Sequence, residues 1–179
     1  MGRYRVKRIV IVSLFSALIA AGSFIRVPIP PVPITLQTLF VLISGILLPL
    51  YMSLPSVLIY LFLGLVGLPL FSGGSGLAVF TGPTGGYLVG MIPAVIFLSP
   101  FRKMKSVWAN VVGCTFASII IYIPGLLWLK HSLRLDWMTT LMSGFVPFLP
   151  GDVIKIAVAA GVGAALREKA DRSLGIEAS

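Results

Sequence analysis

From Leu36 to Phe71 the chain runs for 36 residues without one charged side chain. A helix rises about 1.5 Å per residue, so a bilayer core of about 30 Å takes roughly 17 to 25 apolar residues. The run is about twice one crossing by that measure, and the chain has to fold back inside it. Pro49, Tyr51 and Pro55 mark the expected turn. The remaining composition fits the same solvent. Hydrophobic residues make up 58% of the 179 residues and charged residues 11%, which describes an integral membrane protein.

Breakers and charges cut the whole chain into six apolar pieces, expected as transmembrane helices at 9–25, 36–50, 53–70, 84–100, 106–129 and 143–166 of a single domain, 1–179. The alternation that marks barrel strands is absent, so the predicted class is all-α. The first run follows Arg3, Arg5, Lys7 and Arg8 like the core of a signal peptide, but at 17 residues it is long for one and more spans follow. It reads as an uncleaved first helix. Pro28, Pro30, Pro31 and Pro33 then predict an extended, polyproline-like connection. Six glycines between Ser72 and Gly86 predict a loop, not a helix.

The net charge of +9 would suggest nucleic acid in a soluble domain. Here its distribution reads as topology instead. Ten lysines and arginines lie in the N-terminal tail, the loop at 101–105 and the C-terminal tail, against Arg26, Lys130 and Arg134 on the opposite side and Lys155 within a span. The positive-inside rule places both termini in the cytoplasm, with the Pro-rich and Gly-rich segments facing outward, for a multi-pass protein of the cytoplasmic membrane. A lone Cys114 excludes an internal disulfide, and with only His131 beside it no metal cluster is expected.

The exception to the apolar pattern is Pro150-Gly151-Asp152-Val153-Ile154-Lys155, an acid and a base inside the last span. Positions i and i+3 share a helix face. Pro150-Gly151 breaks the preceding turn, which puts Asp152 in a new first turn where free N–H groups and the helix dipole favour a carboxylate. Ionisable groups at that depth face a polar cavity, pair, or meet a ligand. The pair is either a ligand anchor or a self-satisfied helix start.

Other candidates surround the outer mouth. Thr35 and Gln37 open the second span, and each either caps it or hydrogen-bonds a ligand. Tyr87 and Tyr122 are expected toward the outer ends of spans four and five, where tyrosines also serve as interface residues, as Trp108, Trp128 and Trp137 do. The glycine loop lacks the Gly-Lys-Ser/Thr of a nucleotide cradle and reads as a lid or a flexible connector. In span one, Ser13, Ala17 and Ala21, with Ser16 and Ala20 beside them, recur at the four-residue spacing of close helix packing, either within the chain or against another protein.

In sequence order, Pro31-Val32-Pro33-Ile34-Thr35-Leu36-Gln37-Thr38-Leu39-Phe40, Gly67-Leu68-Pro69-Leu70-Phe71-Ser72-Gly73-Gly74, Gly82-Pro83-Thr84-Gly85-Gly86-Tyr87 and the Asp152 to Lys155 segment resemble the BioY family over nearly the whole chain. These are the biotin-specific S components of energy-coupling factor (ECF) transporters. The resemblance implies the six-helix S-component fold and high-affinity biotin capture for uptake, with biotin as cargo and no cofactor or catalysis. It also implies association with a transmembrane coupling subunit and two cytoplasmic ATPase subunits, with Ser13, Ala17 and Ala21 facing the coupling subunit. The implied pocket is Asp152, Lys155, Thr35, Gln37, Gly73, Gly74, Gly85, Tyr87 and Tyr122. The turn at Leu48–Ser53 departs from the Gly-Pro-Lys type seen in many members. The competing readings are an S component for another vitamin and a stand-alone secondary transporter with Asp152 as a proton relay. An intramembrane protease using Ser75 and His131 is disfavoured, since no orienting carboxylate adjoins His131 beyond Asp136.

Overall fold

The computed structural model describes residues 2–72 and 74–175, with side chains from Arg5 onward. Among them are eight α-helices: α1 Gly2–Phe24, α2 Gln37–Leu47, α3 Leu50–Leu65, α4 Leu77–Thr81, α5 Gly85–Leu98, α6 Val107–Leu133, α7 Trp137–Gly144 and α8 Leu149–Leu174. Helices α1, α2, α3, α5, α6 and α8 overlap the six expected spans. The stretches reaching from Arg5 to Phe24, along α6 and through α8 are long and apolar enough to cross a bilayer, while α2, α3 and α5 are shorter apolar helices.

The short helices have identifiable causes. With 11 residues, α2 extends only about 16 Å. The residues flanking it make their backbone hydrogen bonds inside the protein, as a membrane favours. The Leu36 N–H donates to the carbonyls of Gly22 and Ile25, and that of Leu48 to Ser44. The turn from α2 to α3 consists of Leu48 and Pro49 alone, both extended in ψ. Pro55, expected in that turn, lies inside α3 instead, and Tyr51 is in the first turn of the same helix. Pro49, the residue preceding α3, is enough to end α2, since the residue before a proline is driven out of helical geometry.

Three further features depart from the sequence reading. The Pro-rich connection is not wholly extended chain: β1 (Arg26–Val27) pairs antiparallel with β2 (Ile34–Thr35). The glycine-rich loop contains the one-turn helix α4, formed by its longest glycine-free stretch, between Gly76 and Gly82. The region expected as a span from 143 divides at a 3-10 turn, Val146–Phe148. Here Asp136 starts α7 by accepting the Thr139 N–H at 3.0 Å, and Pro147 and Pro150 interrupt the chain before α8 proceeds. Helix α6 also overruns the expected 129. Lys130 and His131 occupy its last turn, where cations suit the dipole, and Arg134 closes it at φ 53°.

Helix α5 lies along α6, α2 against α8 and α1, and α1 against α3. Gly163 of α8 lets α2 approach so closely that a Cβ there would stand 2.2 Å from Ile46. The interior is filled by Ile19, Leu42, Ile46, Tyr60, Leu98 and Leu129. Outward faces of α1, α3, α6 and α8 are apolar too, with Val10, Leu14, Phe62, Phe116, Ile123 and Val153 all exposed. In water such faces would be interaction sites or liabilities; against hydrocarbon they are the ordinary surface.

At the end of the molecule holding the tails, polar side chains tie the helices together. Arg167 of α8 donates to the Met104 carbonyl at 2.5 Å and to Asn110 Oδ1, and Asn110 donates to the Ala160 carbonyl at 3.2 Å. Arg102, in the 3-10 turn Phe101–Lys103, donates to the Leu47 carbonyl at 3.1 Å and pairs with Asp171.

Candidate functional site

Helix α8 begins at Leu149 with Pro150 in its first positions and Asp152 in its first turn. The carboxylate therefore stands where the unpaired N–H groups and positive dipole end of the helix favour it. One turn on, Lys155 projects from the same face and donates to Asp152 Oδ1 at 3.1 Å. Both are buried, at 9% and 4% exposure. The Tyr122 hydroxyl of α6 donates to Asp152 Oδ2. Tyr122 stands past the middle of α6, deeper than the outer-end position read from sequence, and α6 rises past it because it runs on to Leu133.

Aromatic rings fix these groups. Tyr122 meets the rings of Phe145 and Tyr87 edge-on at centroid distances of 4.9 and 6.1 Å, and Tyr87 stacks on Phe148 at 6.4 Å. The Tyr87 hydroxyl is anchored on the Gly144 carbonyl at 2.9 Å. Its ring lies so close over Gly125 that a Cβ there would stand 2.4 Å from it.

Asp152, Lys155, Tyr122, Tyr87 and Phe148 line a cavity of about 60 Å³, completed by Thr35, Gln37 and Thr38 from the start of α2 and by Met91 of α5. Val32 and Pro33 of the hairpin and Phe71, Ser72, Val79 and Thr84 of the glycine-rich segment cover it. Neither Thr35 nor Gln37 caps α2: the residue before that helix is Leu36, with no side-chain cap. Gln37 Nε2 donates to the Met91 sulfur at 3.3 Å. That is a weak acceptor, so the carboxamide retains most of its capacity for a ligand.

Of the nine pocket positions expected by resemblance, Asp152, Lys155, Thr35, Gln37, Tyr87 and Tyr122 converge on one cavity. Gly74 and Gly85 are not in its lining; they shape the cover. Gly74, at φ 129°, exchanges two backbone hydrogen bonds with Phe71 at 3.1 Å, a conformation that suits glycine alone. Gly85 opens α5, and a Cβ there would stand 1.8 Å from the Phe80 carbonyl oxygen. Gly73 lies outside the described residues. Sequence reasoning missed Thr38, whose buried Oγ1 has no hydrogen-bond partner among the described residues. Its place directly after Gln37, one turn beyond Thr35, was the signal. Phe148 gave none, being one apolar residue among many.

On α1 the two small-residue stripes separate. Ser16 and Ala20 face inward, with the Ser16 hydroxyl donating to the Ser56 carbonyl of α3 at 2.6 Å. Ser13, Ala17 and Ala21 are exposed. Among the described residues no group of three or more His, Cys, Asp or Glu side chains gathers as metal ligands.

The fold and this sequence have close counterparts. A "Biotin transporter BioY" of Thermotoga maritima is 35% identical over 164 residues, 90% of this chain and 96% of that protein. A "Probable biotin transporter BioY" of Lysinibacillus sphaericus is 34% identical over 156 residues, 80% and 78% of the two chains. A crystal structure of the S component for biotin from an ECF-type ABC transporter superposes with a TM-score of 0.85 at 30% identity, covering 94% of each chain. This is therefore a multi-pass membrane protein with the S-component fold. The model of the BioY family matches residues 1–172, and with relatives at this identity over most of their length the chain belongs to the BioY family.

Proposed function

We propose that the chain captures biotin in the cavity beneath the glycine-rich segment and serves an ECF transporter as its substrate-binding subunit. The observation that carries this reading is the Lys155–Asp152–Tyr122 cluster at the cavity wall. Each Asp152 oxygen accepts one hydrogen bond, which leaves about two of its roughly four lone-pair sites for a ligand, and Lys155 has used one of three donors. The cluster thus presents acceptors and donors side by side. A ureido group, with two N–H donors flanking a carbonyl, matches that combination. A ligand carboxylate offers acceptors only and would meet Asp152 as a like charge. The ureido end belongs at α8, and the valerate extends along Tyr87 and Phe148 toward Gln37, Thr38 and Thr35.

At about 60 Å³ the cavity is smaller than the roughly 150 Å³ that admits benzene in a protein core, so capture requires the cover at 71–84 to move outward. The hinges are at hand: Gly67, Gly74 and Gly76 all adopt positive φ. The positive-inside rule, applied to the ten basic tail and loop residues, supports a cytoplasmic position for that end and an outward-facing cavity. The exposed Ser13, Ala17 and Ala21 face provides the flat contact for a transmembrane coupling subunit, which in turn recruits two ATPase subunits.

The test is competition for retained, labelled biotin on purified protein. Desthiobiotin, which keeps the ureido group, is expected to displace the label, and lipoate, which has a carboxylate tail and no ureido group, is expected to fail. Equal displacement by the two would reject the placement of the ureido end, and no retention of biotin at all would reject the function.

A further inference from the structure

The tail end of α8 holds a buried cation with no counter-charge among the described residues. Arg167 is 6% exposed, and its two terminal nitrogens bond only the neutral oxygens of Met104 and Asn110. Its Nε is buried and bonds nothing among the described residues. No described carboxylate pairs with it. Arg102 beside it is matched by Asp171, while Lys103 and Lys105, which flank Met104, are exposed and form no ion pair among the described residues. The neighbouring Glu168 is engaged at 3.8 Å by Arg172. Among the described residues, three cations without a paired carboxylate therefore gather around the start of α6 and the end of α8.

The same two helices part a short distance further into the membrane. Beyond the Asn110–Ala160 tie lies a cleft of about 460 Å³, walled by Val111, Thr115 and Ile119 of α6 and by Val153, Ile156 and Ala157 of α8. It opens sideways, since Ile119 is 44% and Val153 68% exposed on the faces that meet hydrocarbon. Its floor is the far side of Tyr122 and Asp152, the pair that lines the ligand cavity. Trp108, 79% exposed, stands three residues before Val111 on the same helix face, between the cations and the cleft.

We infer that this seam binds one anionic phospholipid, with its phosphate at Lys103 and Lys105 in the field of Arg167 and one acyl chain in the α6–α8 cleft. Charge and depth together select this occupant. A second copy of the chain would bring a second set of cations, and a water-soluble anion could satisfy the basic end but not the apolar cleft. The acyl chain would close the membrane side of the Tyr122–Asp152 wall.

The experiment is native mass spectrometry of the protein extracted from vesicles containing equal phosphatidylglycerol and phosphatidylcholine, paired with quenching of Trp108 by brominated forms of each lipid in a Trp128→Phe/Trp137→Phe background. One retained phosphatidylglycerol per chain is expected, with stronger quenching by the anionic lipid. Near the surface each cation contributes about five-fold in affinity, so Lys103→Gln/Lys105→Gln should reduce the preference more than ten-fold, toward parity. Ala157→Phe, which fills the cleft and leaves every charge in place, should release the lipid. Parity between the lipids in the unaltered protein would overturn the inference. So would a dimer mass without lipid, which assigns the seam to a second copy, or displacement by inorganic phosphate with Ala157→Phe silent, which reduces the site to a bare anion site.

Discussion

Helix α8 buries charge at both ends, and the two ends treat it in opposite ways. Near its start, Asp152 and Lys155 neutralise each other one turn apart, with Tyr122 on the second carboxylate oxygen. Near its end, Arg167 is buried with only neutral acceptors and stands close to further cations. The first arrangement is locally complete and opens on a cavity, so its spare donors and acceptors are free for a ligand. The second spends its hydrogen bonds on joining α6 and the 101–105 loop to α8 and leaves its charge without a paired carboxylate among the described residues. A buried charge is thus informative through what remains unspent around it.

The largest effects should come from breaking the complete end. Asp152→Asn leaves Lys155 buried without its partner, and Lys155→Ala does the converse. Removing one member of a buried pair destabilises by about 3–5 kcal/mol, so both should lower the thermal midpoint markedly in detergent. The double variant Asp152→Asn/Lys155→Met removes both charges and should recover most of that stability while still failing to bind. Recovery of binding along with stability would make the pair a helix-start device and not a ligand anchor.

At the other end, Arg167→Gln removes two charged hydrogen bonds worth about 1.5–3 kcal/mol each. It should lower the thermal midpoint yet leave the affinity of the folded protein for biotin within about two-fold, since every contact it loses is to Met104 and Asn110. A large loss of affinity at unchanged stability would show the two ends to be coupled. Tyr122→Phe is a smaller change at the first end, deleting one hydrogen bond to a charged acceptor. A loss of about ten-fold in biotin affinity is expected, with a fall in unfolding temperature smaller than that of Arg167→Gln, which loses two such bonds.

The smallest effect concerns Asp136, which lies outside both clusters at the start of α7. Hydrogen bonding from the Thr139 side chain and backbone holds its carboxyl below the usual range. A depressed folded value means that the cap's stabilisation is present above the ordinary carboxylate range and lost as pH falls through the folded value. Because Asp136 is fully exposed, Asp136→Ala should change the thermal midpoint by no more than a degree or two on the scale of surface substitutions, and only at pH above that range. The same shift at low pH would assign the residue some other role.

The same contrast governs what was legible in the sequence. Asp152 and Lys155 were conspicuous because charge is rare in this chain and their i, i+3 spacing fixes a shared face. The break at Pro150-Gly151 is equally readable, and α8 starts beside it. Arg167 looked like one basic tail residue among several. Its burial depends on α8 continuing to Leu174 and on Asn110 reaching it from α6, which is tertiary information. Apolar runs set the expected span lengths and overestimate α2, because hydrophobicity persists through Leu48 to Leu50 after the helix has ended. The five-residue α4 sits inside a glycine-rich signal that overrides it. The two stripes of α1 share one spacing, and only the packing of α3 shows which one is inward.

Labelled-biotin retention separates a ligand-holding Asp152–Lys155 pair from a purely structural one when Asp152→Asn and Lys155→Ala are compared with Arg134→Ala, an exposed cation at the end of α6. Truncating one partner of a buried, hydrogen-bonded charge pair costs about 2–5 kcal/mol, so the two α8 variants should lose at least about 30-fold in affinity. Arg134→Ala should retain biotin as the unaltered protein does. Equal retention by all three would contradict the account.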